Sequence, residues 1–145
     1  MGAGAWSYAV PYQEDLQAAL DALREKVFEE DEYYREEGVE SLAELMDSGF
    51  LDEEGGAHSV LDVVTVVHCA VDEEDYGDVR VVEGAEVVEL FGTDRPSLDT
   101  VRAAEEKGGG DIDFPPSFRG SGCCTITYGP DGAPDGLYFW GVTGD

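Results

Sequence analysis

Cys123-Cys-Thr-Ile-Thr-Tyr128 and Leu137-Tyr-Phe-Trp-Gly-Val142 are two runs of β-branched and aromatic residues, separated by Gly129-Pro-Asp-Gly-Ala-Pro-Asp-Gly136. The separator is turn chemistry throughout. Proline presets φ, glycine reaches positive φ without strain, and aspartate bonds its own backbone. The pair therefore reads as a C-terminal β-hairpin with a long turn, and a sheet built on it is antiparallel. Immediately upstream, Gly108 to Gly122 carries Pro115 and Pro116 and reads as the mobile loop of the domain.

Further back, Ala85–Phe91 reads as a helix ended by Gly92, and Pro96–Glu106 as another stopped by Gly108 to Gly110. Val79–Val82 reads as a short strand. His58–Val71 is rich in valine and leucine on both alternating faces, the signature of a central strand covered on both sides. Nearer the N-terminus, Leu16, Ala19, Leu20, Leu23, Val27 and Phe28 recur at helical spacing after Pro11, Glu14 and Asp15, which predicts one long amphipathic helix. Ser41 with Glu44 three residues on is a capping box for a second, shorter helix carrying Leu42, Leu45 and Met46. The expected order is α-α-β-(β)-α-α-β-β. This is a single α+β domain over residues 1–145, an antiparallel sheet packed against about four helices.

A chain of 145 residues, 42% hydrophobic and 10% aromatic, has enough apolar side chains to build a core. Its charge is the outlier: 34 acidic residues against 8 basic ones give a formal net charge of -26 and a pI near 4.1. The acids are densest early, with 16 acids and 3 bases in residues 1–60. They also cluster, as Glu29-Glu-Asp-Glu32, Asp52-Glu-Glu54 and Asp72-Glu-Glu-Asp75. Clustering brings several carboxylates within the Debye length of about 8 Å, where their fields add. Phosphate contact needs Lys and Arg to displace counterions, so direct binding of nucleic acid or of an anionic membrane is disfavoured and a basic protein partner is favoured. The longest apolar run, Val63–Val71, is broken by Thr65 and His68 and falls short of the roughly 18 residues of a membrane span. With no basic leader and apolar stretch at the N-terminus, and three cysteines that do not make a disulfide framework, the expected compartment is the cytoplasm.

Chemistry-bearing patterns are few. Asp72, Glu74, Gly77 and Glu83 fall at positions 1, 3, 6 and 12 of a calcium-loop template, but Tyr76 and Arg80 break its ligand pattern and a strand precedes it where the template needs a helix. An acidic loop between strands is the simpler reading. His68-Cys69 and Cys123-Cys124 are adjacent pairs whose members point to opposite faces of a strand, so neither converges on a zinc ion. Gly120-Ser-Gly122 precedes a strand, whereas a nucleophile elbow follows one. No phosphate-binding glycine motif occurs. These patterns call for no metal and no cofactor, and they assign no catalytic residue.

Tyr8-Ala-Val-Pro-Tyr12, Leu20-Asp-Ala-Leu-Arg-Glu-Lys-Val-Phe28, His58-Ser-Val-Leu-Asp62, Glu89-Leu-Phe-Gly-Thr-Asp-Arg-Pro96 and Leu137-Tyr-Phe-Trp-Gly141 together span most of the chain. They resemble small acidic cytoplasmic proteins of actinobacteria of the Streptomyces type. The resemblance implies source and compartment, and it brings no catalytic residue with it.

The expectation that unites charge and pattern is a non-catalytic acidic protein, immunity-like or a nucleic-acid mimic, that occupies the basic groove of a nuclease, toxin or DNA-binding protein. Its contact residues would be Glu29, Glu30, Asp31, Glu32, Glu36, Glu37, Asp72, Glu73, Glu74 and Asp75, with Tyr33 and Tyr34 as rigid aromatic anchors. Two further readings stand beside it at this point. Glu29 to Glu32 also fit a frayed, solvated helix end, and the two tyrosines also fit a fold-back onto the helix. The alternative function is a small cytoplasmic enzyme or ligand-binding protein with a pocket between the sheet and the 108–122 loop, edged by His58, Arg119 or Cys123.

Overall fold

The computed structural model describes residues 5–30, 36, 38, 40–47, 60–70, 73–75, 77–108 and 120–142. Along the chain these form β1 (Ala5–Pro11), α1 (Leu16–Glu30), α2 (Leu42–Asp47), a 3-10 turn (Val60–Asp62), β2 (Thr65–Val67), β3 (Asp78–Val81), α3 (Ala85–Phe91), α4 (Leu98–Gly108), β4 (Gly122–Tyr128) and β5 (Pro134–Val142). The five strands make one sheet in the order β1-β5-β4-β3-β2. The α+β class holds, with two corrections to the sheet. It is mixed: β1, β5 and β4 pair antiparallel, whereas β4 with β3 and β3 with β2 are parallel. And the His58–Val71 run is not a central strand, because among its described residues only Thr65–Val67 is extended and it lies at the sheet's edge.

The apolar side chains of that run are buried by other means. Val60, Leu61 and Val63 are buried against α1 and α2, two of them from the 3-10 turn. The central position belongs to β4. One strand has no counterpart in the sequence reading: Ala5–Pro11 pairs along its whole length with Gly136–Val142.

Local signals explain the helices. Asp15 caps α1, its carboxylate accepting the Ala18 N–H at 3.0 Å, and Ala19, Leu20, Leu23 and Phe28 fall on the buried side. Ser41 caps α2 by accepting the Glu44 N–H at 3.1 Å, while Glu44 reaches back to the Glu40 N–H at 3.4 Å. Gly92, at φ 78°, closes α3 in the left-handed conformation, with its N–H donated to the Val88 carbonyl.

The sheet divides the core into two layers. On one face, α1 and the 60–63 segment pack on Trp6, Val79, Cys124, Leu137 and Phe139. On the other, α3 and α4 pack on Val82, Cys123, Tyr138 and Trp140. Cys123 and Cys124 therefore point to opposite faces, as adjacent strand residues must, and both are fully buried. The Trp6 ring crosses Gly122 and Gly141, where a Cβ on Gly141 would lie 2.3 Å from the indole. Those two glycines are the recess into which the indole fits.

Candidate functional site

The contact residues expected from the sequence fall into three groups. Glu29 and Glu30 end α1 and are exposed, as are Glu36, Glu73 and Asp75. Asp31, Glu32, Tyr33, Tyr34, Glu37 and Asp72 lie outside the described residues. Glu74 is a correction. Its side chain is fully buried and its carboxylate lies 3.3 Å from the Arg80 Nε, so it offers nothing to a partner at the surface. The same pairing removes position 3 from the calcium-loop template.

Arg80 is the residue that the sequence reading passed over. It sits in β3 on the α3/α4 face, opposite Cys123 of β4, with a side chain only 1% exposed. Glu86, in the first turn of α3, takes its guanidinium bidentately: Nη1 to Oε1 at 2.5 Å and Nη2 to Oε2 at 2.8 Å. Glu74 approaches the remaining nitrogen from the connection between β2 and β3. The cluster thus holds one guanidinium between two carboxylates, and the Glu86 hydrogen bonds push the Arg80 pKa further up, against the effect of burial. Removal from water is costly for all three groups, and two-point pairing is what offsets it. Both Glu74 oxygens are buried without a hydrogen bond, so the ion pair is their whole compensation.

Cys69 and Cys123 both feel the charges of Arg80 and Glu74. Burial is the chief cause that raises both thiol pKa values; for Cys123 the Arg80 charge acts against it. A buried, protonated Cys123 is a packing residue and does not edge a pocket, contrary to the alternative reading. His58, Arg119 and most of the 108–122 loop are outside the described residues. His68 lies 3.2 Å from the Glu83 carboxylate, but both side chains are more than half exposed, where such a contact contributes little.

An open pocket of about 170 Å³ lies at the carboxyl ends of β3 and β4, lined by apolar Leu16, Val81, Val87 and Ile126 and by polar Glu83, Asp94 and Tyr128. Thr125 also faces it, with its hydroxyl donated to the Val82 carbonyl at 3.0 Å. The pocket expected from the sequence involves the 108–122 loop, most of which lies outside the described residues. Among the described residues, no group of three His, Cys, Asp or Glu side chains is placed to hold a metal ion, and no helix is long and apolar enough to cross a membrane.

The surface is more acidic than the composition alone implies. Arg24 is buried in α1 and donates to the Leu61 carbonyl at 3.2 Å, and Arg80 is buried in β3. Among the described residues only Lys26, Arg95, Arg102 and Lys107 are exposed cations. Along α1, Asp21, Glu25 and Glu29 are exposed at successive i,i+4 positions, and no basic residue stands in the last turn. Each like-charged pair costs about 0.2–0.5 kcal/mol of helix stability, and acids at the negative end of the macrodipole add about 0.3–1 kcal/mol each.

Fold and surface define an α+β protein with a carboxylate-rich helix outside and a buried arginine–carboxylate centre inside. No protein-family model matches the chain, nor does a curated protein or a solved structure.

Proposed function

We propose that the protein is a cytoplasmic, non-catalytic acidic binding protein, immunity-like or a nucleic-acid mimic, that antagonises a basic nuclease, toxin or DNA-binding protein. The observation that supports it most is the outer stripe of α1. Asp21, Glu25, Glu29 and Glu30 repel one another and the helix dipole, and Lys26 is the one cation of the helix left at the surface, since Arg24 is drawn inside. A stripe that lowers the stability of its own helix is accounted for by a cationic surface that relieves it. Negative potential of this kind steers a basic partner and accelerates encounter. Exposed Glu73 and Asp75 extend the acidic surface from the β2–β3 connection.

The test is affinity capture from source-organism lysate at about 50 mM and about 500 mM salt, because screening removes exposed-charge attraction at the higher value. The expected result is a dominant basic protein retained at low salt and released at high salt. Its retention should disappear when Asp21, Glu25 and Glu29 are changed together to lysine. A bait that captures nothing at either salt, or whose partner ignores the triple reversal, overturns the reading.

A further inference from the structure

Among the described residues β2 ends the sheet, so one side of Thr65–Val67 faces away from β3 with backbone groups that no described strand pairs. An edge of this kind recruits other chains unless something blunts it. The strand is only three residues long, but the other devices are missing from it: Thr65, Val66 and Val67 carry no charge, the strand contains no proline, and neighbouring Val64 is 38% exposed.

The open groups are nonetheless occupied. The Gln17 side chain, in the first turn of α1, accepts the Val66 N–H through Oε1 at 2.8 Å and donates from Nε2 to the Val64 carbonyl at 2.9 Å. Its Nε2 also donates to Asp21 Oδ1 at 3.0 Å, one helical turn on, which fixes which end of the amide faces which backbone group. A carbonyl at one residue and an N–H two residues later are the pair that a residue of a neighbouring strand engages. One side-chain amide thus stands in for a strand, and the Asp15 cap that sets the start of α1 holds it in place.

We propose that Gln17 is a latch on the β2 edge, and that the occupant it excludes is β2 of a second copy of this chain. Self-pairing follows from the geometry of the open groups. With two β2 strands antiparallel about a two-fold axis through Thr65, the Val66 N–H of each copy meets the Val64 carbonyl of the other, which is how a non-hydrogen-bonded antiparallel pair is flanked. The Thr65 side chains then face each other, a favourable cross-strand pair, and no charged residue of the strand is opposed. A chain with a net charge of -26 still repels its copy at long range. That repulsion is screened by salt, whereas the latch is not.

The experiment measures mass in solution by light scattering, at about 0.5 M salt so that net repulsion is screened, for the wild type, Gln17→Met, and Gln17→Met with Thr65→Lys. Methionine keeps length and helix propensity while removing both hydrogen bonds. The expected results are a monomeric wild type, a concentration-dependent dimer for Gln17→Met, and a return to monomer when two lysines oppose each other at the two-fold. Hydrogen exchange at Val66 supplies the second readout, with a protected amide in the wild type that loses protection in monomeric Gln17→Met/Thr65→Lys. Gln17→Ala repeats the comparison without the bulk of methionine. A wild type that already dimerises through β2 overturns the proposal. So does an unlatched variant that stays monomeric with Val66 unprotected, a dimer indifferent to Thr65→Lys, or a Val66 amide whose protection does not depend on Gln17.

Discussion

The two faces of the sheet are held by different means. The α1 face is mostly apolar apart from the buried Arg24, with Trp6 seated over Gly122 and Gly141 and the buried apolar side chains of Val79, Leu137 and Phe139 around it. The α3/α4 face mixes apolar packing with Arg80, Glu74 and Glu86, and with the hydroxyl of Tyr138 donated to Glu105. Alternating residues of the same strands supply both, so the contrast is not one of secondary structure. It teaches that the apolar face is sensitive to shape and the polar face to the loss of a partner. Dispersion forgives small chemical changes that keep volume, whereas a buried charge left alone has no way to relax.

The largest effect should come from emptying the polar centre from the middle. Arg80→Met leaves Glu74 fully buried without its cation, and removal of one partner from a buried pair typically costs about 3–5 kcal/mol. Adding Glu74→Leu should recover most of that loss, since Glu86 is 20% exposed and can turn to water. Urea unfolding of the three proteins measures both steps. An Arg80→Met protein as stable as the wild type would remove the distinction between the faces.

The matching test of the apolar face changes shape alone. Gly141→Ala places a methyl group 2.3 Å from Trp6 Cζ2 and 2.8 Å from the Ser121 carbonyl, so the indole or the strand must shift. Overpacking of this kind costs about 1–3 kcal/mol. Gly141→Ala combined with Trp6→Leu should lose less than the two single changes added together, because the methyl then has room. Strict additivity in the double-mutant cycle would show that Trp6 does not sit over Gly141 as described.

This contrast also marks how far the sequence could be read. Positions within one helix are legible because the period of 3.6 links neighbours: Leu16, Ala19, Leu20, Leu23, Val27 and Phe28 were all placed on the inner side of α1, and all are buried or half-buried. The Ser41 cap and the Gly92 stop are equally local, whereas Asp15, expected as an acid of the first turn, instead caps α1 from just outside it. β1 escaped because its evidence is its partner, and Ala5 meets Val142 at the other end of the chain. The 58–71 run defeats the strand reading because burial on both sides is not unique to a sheet: a 3-10 turn beneath two helices buries Val60 and Leu61 as well. Of the candidate contact residues, Glu74 failed for a similar reason. Its carboxylate and that of Glu86 are six residues before and six after Arg80, outside β3 in both directions, so no single strand or helix period links them to it. An arginine inside Val79–Val82 was the available signal, and it says only that some carboxylate must follow it inside.

Tyr138 offers a smaller, titratable measure of the polar face. Burial, with the hydrogen bond to Glu105 second, raises its pKa from 10 to about 12. A raised pKa means that the neutral phenol is favoured in the folded state. Its contribution is therefore complete below pH 10, the unfolded value, and is lost as pH rises towards 12. Tyr138→Phe should cost about 1 kcal/mol at neutral pH and should flatten that alkaline loss. An equally steep decline in the variant would assign the alkaline sensitivity to another group.

The smallest effect is on rate and not on stability, and it asks whether the two faces open separately. Cys123 and Cys124 are neighbours in β4, one on each face, both 0% exposed, whereas Cys69 is half-buried. Burial raises the pKa of both β4 thiols and so keeps them as unreactive thiols. Under native conditions a thiol reagent should therefore modify Cys69 first. β4 is hydrogen-bonded to β3 on one side and β5 on the other, so neither of its cysteines can leave the core while the strand stays in place. Cys123 and Cys124 should then label together, at a rate set by global unfolding, and Arg80→Met should accelerate both equally. If Cys123 labels well before Cys124, the α3/α4 layer lifts on its own, and the polar face is a separately opening unit resting on a stable apolar one.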